Sequence, residues 1–173
     1  MTIQSATIVA QIRATQIGPS DFGGPIFNLD ASRVINLTHG TAADQANVLW
    51  TDERSVGSGA NDDLDMNGVL TNAFGVSVAM VEIVALLVIN APISGAANTT
   101  SLTIGGGTNP VTGYLGGTTP TIGPIRPGGF VMLGTGDAGG FGVVTPSTGD
   151  ILRIANSAGA SATYQIVILG RNA

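Results

Sequence analysis

Between Gly149 and Gly170 the chain is written in sheet-forming segments separated by a turn. Ile151-Leu152-Arg153-Ile154 and Tyr164-Gln165-Ile166-Val167-Ile168-Leu169 are rich in β-branched, aliphatic and aromatic residues, and the small, polar Asn156-Ser157-Ala158-Gly159 connects them. This is the pattern of a β-hairpin. A closing segment this apolar is expected to be tied into a sheet, because loose ends are normally polar. The same alternation of short apolar segment and glycine recurs through the second half, at Leu102-Thr103-Ile104-Gly105, Thr121-Ile122-Gly123 and Phe130-Val131-Met132-Leu133-Gly134.

The rest of the chain follows the same grammar. Thr7 to Arg13, Arg33 to Leu37 and Asn47 to Thr51 read as strands, and Gly18-Pro19 and Gly23-Gly24-Pro25 punctuate a loop. Thr41 to Gln45 fits either a loop or one helical turn. Val76 to Asn90 is apolar on both faces, and its β-branched content predicts one long strand buried on both sides, with a bulge. With 26 Gly and 8 Pro, no amphipathic helix longer than about three turns fits. The predicted fold is all-β, a jelly-roll-like β-sandwich or barrel of about 8–10 short strands with long Gly/Thr/Asn-rich loops. Residues 1–25 are read as an N-terminal strand or arm contacting neighbours. Residues 26–173 form a single sandwich or barrel domain, with a seam near 57–62.

Composition narrows the function classes. At 173 residues the chain is long enough for one domain with a real core. Only 10% of residues are charged, against about 25% in ordinary soluble domains, so charge repulsion protects the surface poorly against association. This predicts a chain that works within an assembly. The net charge is −5, and all six basic residues are arginines scattered along the chain, with no cluster to track phosphates. Nucleic acid is therefore not an expected partner. Absence of Lys and Cys removes Schiff-base lysines, the Walker-type phosphate loop, thiolate nucleophiles and disulfides. The most apolar window, Val76 to Ala91, is shorter than a bilayer requires and contains Glu82, so no membrane span is expected.

Few residues are candidates for chemistry. Asp63-Leu64-Asp65-Met66-Asn67-Gly68 matches the opening of a calcium loop, in which alternate oxygen ligands face one centre and a glycine makes the sharp turn. Asp63, Asp65 and Asn67 are thus a calcium candidate. Phe74 occupies the twelfth position, where the loop needs a bidentate acid, and a strand end followed by an Asn-Gly turn fits the same residues. His39, the single histidine, sits in Thr38-His39-Gly40 and reads as a surface turn residue, there being no G-x-S-x-G elbow to supply a nucleophile. Glu82, alone in an apolar run, is expected to pair with an arginine or face a subunit interface. Trp50 and Tyr164 are expected to face the core, which leaves few exposed aromatics for a carbohydrate-binding face.

Several phrases together carry a resemblance: Asp63-Leu64-Asp65, Gly68-Val69-Leu70-Thr71-Asn72-Ala73-Phe74-Gly75, Leu102-Thr103-Ile104-Gly105-Gly106, Arg126-Pro127-Gly128-Gly129, and Gly149 to Asn156 with Thr163-Tyr164. Over about residues 62–170 the chain resembles small β-rich structural proteins encoded by tailed bacteriophages. The resemblance implies a non-enzymatic virion subunit, most simply a capsid decoration or cement protein that binds and stabilises the head shell. Its implied partners are the major capsid protein and further copies of itself, as a homotrimer, with no small-molecule substrate, cofactor, nucleic acid or membrane. The implied location is the phage head surface, after synthesis in the host bacterial cytoplasm. A tail component (tube, adaptor or fibre-attachment protein) is the alternative, and a carbohydrate-binding sandwich a further one.

Overall fold

The computed structural model describes residues 2–19 and 21–172; Met1 and Ser20 of the expected arm lie outside the described residues, as does Ala173. The described residues contain no helix. Two long strands come first, β1 (Ala6–Ile17) and β2 (Ile26–His39), followed by the short β3 (Gln45–Ala46). Next are β4 (Val48–Val56), β5 (Asn61–Asp65), β6 (Asn67–Thr71), β7 (Ser77–Ala79) and β8 (Glu82–Ile89). The second half supplies β9 (Leu102–Gly105), β10 (Thr121–Ile125), β11 (Phe130–Gly134), β12 (Gly142–Val143), β13 (Ile151–Asn156) and β14 (Ala162–Arg171).

Two open sheets face each other. One has the order β10-β9-β13-β5; the other runs β11-β8-β14-β4, with β12 continuing the line of β11 along β8. Every pairing in both is antiparallel. The expected all-β fold is therefore present as a sandwich, and the described residues form no closed barrel. Period-2 alternation explains the interior. Leu152 and Ile154 of β13 face Tyr164, Ile166 and Ile168 of β14, with Trp50, Leu64, Leu86, Val88, Leu102 and Ile104 around them in one buried cluster. Trp50 and Tyr164 lie in it as expected, and burying each such large side chain stabilises the fold by about 1.5–3 kcal/mol.

Two expectations are corrected. The run Val76 to Asn90 is broken at Met80-Val81 into β7 and β8, which lie in different sheets, because Met80 turns into the core and its N–H bonds Met66 O. The part that is β8 keeps both predicted properties. It is buried on both sides, and its register with β14 shifts between Leu169 and Gly170, so Val84 is the extra residue of a bulge. The second correction concerns the closing hairpin. β13 and β14 do not pair with each other: β13 pairs β5 and β9, whereas β14 pairs β4 and β8. The 157–161 connection crosses from one sheet to the other. It lies beside the β4–β5 connection, which makes the same crossing, and Asn156 Nδ2 donates to Val56 O (3.2 Å), Gly57 O (3.0 Å) and Ala160 O (2.8 Å). The sequence seam near 57–62 is one of this pair of arches.

β1 and β2 stand apart. They form an unbroken antiparallel hairpin of 12 registered pairs, from Ala6↔Leu37 to Ile17↔Ile26, about 40 Å long at the antiparallel rise. The expected arm boundary at 25 falls at the hairpin's tip, so the projecting unit runs over 6–39. Its base is anchored. Ile8, Leu37 and Ala46 form a second buried cluster with Val84, Ala85 and Leu169 on the outer face of the five-stranded sheet. Gly134 lets Ile8 in: a Cβ there would lie 3.2 Å from two Ile8 methyls. This second cluster is why β8 needs apolar side chains on both faces.

Candidate interaction surface

Strand geometry sorts the arm's residues onto two faces. Directly opposed pairs share a face, so Thr7/Asn36, Gln11/Ser32, Arg13/Asp30 and Thr15/Asn28 line one of them. There the polar groups satisfy each other. Gln11 Nε2 donates to Asp30 Oδ1 (2.9 Å), Thr15 Oγ1 to Asn28 Oδ1 (3.0 Å), and Arg13 pairs with Asp30 at 3.2 Å. Val9/Val34 and Ile17/Ile26 are the apolar rungs of this face. The other face carries Ala6/Leu37, Ile8/Ile35, Ala10/Arg33, Ile12/Ala31, Ala14/Leu29 and Gln16/Phe27. Only Gln16 and Arg33 are polar there. At the base this face is buried against the body. Farther out it continues into solvent, with Ile12 67%, Phe27 61% and Leu29 40% exposed. From Val9 to Val34 every described residue is exposed except two half-buried glycines of the tip.

The body has apolar surface of its own. On the outer face of the five-stranded sheet, beyond the region the arm's base covers, Leu87, Ile89, Ile93 and Val167 line a shallow groove of about 300 Å³ whose rim carries Asp52 and Glu53. Ile93 there is 73% exposed, and Phe130, at the neighbouring strand, 66%. A second hollow, about 420 Å³, lies between the free side of β4 and the β6–β7 hairpin and is lined by Ile3, Val48, Leu49, Phe74 and Val76.

The side chains of the calcium candidate are engaged with partners of their own. Asp63 receives both Nε (2.6 Å) and Nη2 (2.7 Å) of Arg153, and these bonds hold its carboxyl below the ordinary value. Asp65 Oδ1 accepts the Asn67 N–H (2.8 Å), and Asn67 Nδ2 donates to Met80 O (3.1 Å). A cation at this loop would have to displace Arg153 and reopen that turn. Among the described residues, no three His, Cys, Asp or Glu side chains gather around one centre. The Asp63–Arg153 pair is half-exposed and adds little to stability. Its contribution is present above the ordinary Asp value of 3.8 and is lost as pH falls through the lowered one. His39 closes β2 and is exposed. Glu82 pairs with an arginine, as expected, at 2.8 Å from Arg171 Nη1.

What the sequence does not reveal is the role of Asp62. It joins the two sheets at their open side: Arg54 of β4 donates Nε (2.6 Å) and Nη2 (2.9 Å) to its carboxylate, and Tyr164 of β14 donates its hydroxyl (2.7 Å). The only sequence signal was an Asp next to a strand start. Burial, then the hydrogen bond to Asp62 and its negative charge, push the Tyr164 phenol far above its ordinary 10; burial also raises Tyr114. Above pH 10 the unfolded chain therefore releases tyrosyl protons that the folded chain keeps, and stability falls as pH rises. While Tyr164 stays protonated in the folded chain it contributes about 1.4 kcal/mol per pH unit. Urea midpoints measured from pH 9 to 11.5 should drop steeply, and Tyr164→Phe should flatten the drop. A midpoint independent of pH over that range would contradict the buried, protonated phenol.

Searches with family models, against characterised proteins and against solved structures find nothing that matches this chain.

Proposed function

We propose that this chain is a non-enzymatic structural subunit of a bacteriophage virion, a decoration or cement protein that fastens to the head shell. The observation that supports this reading most is the arm: a compact, charge-poor sandwich carries a hairpin about 40 Å long that leaves apolar side chains in water. An isolated two-stranded hairpin is only marginally stable in water, so an arm of this length is explained when a partner covers it. The sandwich supplies a rigid base, and the low charge suits interface centres, which disfavour Lys, Glu and Asp.

The test is co-sedimentation with undecorated phage heads. The intact chain should pellet with the heads and raise the temperature at which they open. A chain lacking residues 10–33, closed by a Gly-containing turn, should stay in the supernatant while keeping its sandwich, because Ile8, Leu37 and their contacts remain. Removing 1–14 instead would strip β1 and the anchored base together, so it is the poorer experiment. An intact chain that ignores heads but binds tail tubes would replace the head reading with the tail one.

A further inference from the structure

We infer that the apolar face of the arm docks into the outer-face groove of the five-stranded sheet of a second copy of this chain. The inference deepens the structural-subunit reading, which supplies the expectation of self-assembly, but its geometry stands on the two surfaces themselves. Each surface is the uncovered continuation of a contact that the chain already makes within itself. At the arm's base, Ile8 and Leu37 pack on Ala85 and Leu169 of the outer sheet face. Farther along the arm the same face offers Ile12, Leu29 and Phe27 to solvent; farther along the sheet the same outer face offers Leu87, Ile89 and Val167. A neighbour's arm laid over the groove repeats, between copies, the packing that the base makes within one copy.

Relief, length and charge agree with this occupant. Within the arm's outer face each rung from Ala10/Arg33 to Ala14/Leu29 pairs one alanine with one large side chain, which alternates between the strands. Such a surface has hollows as well as ridges and can interlock with the side chains of a sheet. The exposed stretch from Ala10 to Ile17 spans about 27 Å, enough to cross four strands at about 4.8 Å each. Arg33 is the single charge on the arm's apolar face, and it has no ion pair among the described residues. The groove's rim carries Asp52 and Glu53, of opposite sign; Asp52 also pairs with Arg54 (3.1 Å) and Glu53 Oε2 also accepts the Ile93 N–H. An anionic membrane would favour a basic arm; this one balances Arg13 and Arg33 with Asp21 and Asp30. If two copies exchange arms about a twofold axis the contact is made twice, which doubles the area it buries.

The test is the solution mass of the intact chain and of two single variants, Leu29→Asp on the arm and Ile93→Asp in the groove. Both positions are exposed, so both variants should keep the sandwich, verified by an unchanged far-ultraviolet circular dichroism spectrum. The intact chain should be an oligomer, and each variant should weaken association at least tenfold. Mixing the two variants should restore a hetero-oligomer, because the arm variant keeps an intact groove and the groove variant an intact arm. Arg33→Glu combined with Glu53→Arg should associate more tightly than either change alone. An intact chain that is monomeric at 100 μM (on the order of the concentrations at which weak dimers form) would overturn the inference. So would assembly that survives Leu29→Asp, assembly indifferent to Ile93→Asp, or an arm that binds neutral lipid vesicles while the chain stays monomeric. Failure of head binding would leave these results untouched and bear only on the cement reading.

Discussion

Replacing Arg171 with methionine is expected to lower stability by about 3–5 kcal/mol, the cost of removing the fully buried member of an ion pair with the part-exposed Glu82 together with its hydrogen bonds. For a chain of this length that is a fall in Tm of about 6–20 °C. Arg171 is fully buried and donates to four acceptors: Gln45 O (3.0 Å), Glu82 Oε2 (2.8 Å), Ala138 O (2.6 Å) and Asp137 O (2.8 Å). One planar guanidinium thus ties the β3 segment, the start of β8 and the 137–138 loop to the last strand. Methionine fills much of the volume but removes the donors that Arg171 gives to the Glu82 carboxylate and to the carbonyls of Gln45, Asp137 and Ala138, of which Asp137 O keeps the Gly140 N–H (3.2 Å). Arg171→Lys keeps the charge and should recover only part of the loss, since one ammonium cannot reach acceptors spread around a fork. Glu82→Gln keeps an acceptor for Nη1 but leaves the fully buried guanidinium without its counter-charge, so it too should destabilise the fold. Equilibrium urea unfolding checks all three; a loss under about 1 kcal/mol for the methionine variant would mean that water enters and satisfies these groups.

Asn90→Ala is expected to cost about 2–4 kcal/mol, because each buried polar group left without a partner costs about 1–3 kcal/mol. Asn90 is fully buried at the end of β8. Its Nδ2 donates to Thr100 O and Ile125 O, both at 2.9 Å, and its Oδ1 accepts from Asn98 Nδ2 at 2.7 Å. Its backbone also holds the 126–129 turn, donating to Gly129 O (2.9 Å) and accepting from Gly128 N–H (2.8 Å). One side chain therefore fixes the connection after β8, the end of β10 and the entry to β9. Asn90→Asp should be at least as damaging, since it places an acceptor against two carbonyl oxygens. The midpoint of urea unfolding should fall while its slope stays constant. An alanine variant within about 1 kcal/mol of the parent would show that this corner relaxes onto other donors.

Much of the sheet content was legible because burial on one face writes a period of two into a strand. Leu152/Ile154 and Tyr164/Ile166/Ile168 show it plainly, and they are core residues. The bulge and two-sided burial of β8 were legible as well, from a run with no polar alternation and a lone Glu that needed an arginine. The arm was half legible. The sequence shows a strand over Thr7 to Arg13, but nothing in its pattern reveals that β2 of the same chain is its partner. The roles of Asp62 and Asn90 were not legible, since a polar residue near a strand end looks alike whether it is solvated or holds several elements together.

Strand-forming segments, their buried faces, the turn positions and the scarcity of charge were determined by the sequence alone, because these follow from the side chains of neighbouring residues. Tertiary structure decided which strands are neighbours. Between Asn156 and Ala162 the same short, polar connection serves a hairpin or an arch, and local preference does not separate them. The arch forms because Asn156 finds the carbonyls of Val56 and Gly57 in the adjacent crossing, and because Leu152 and Ile154 can then face Tyr164, Ile166 and Ile168 across the core rather than lie beside them in one sheet. Those partners are about 100 residues away in the chain, at a range where no local pattern carries information.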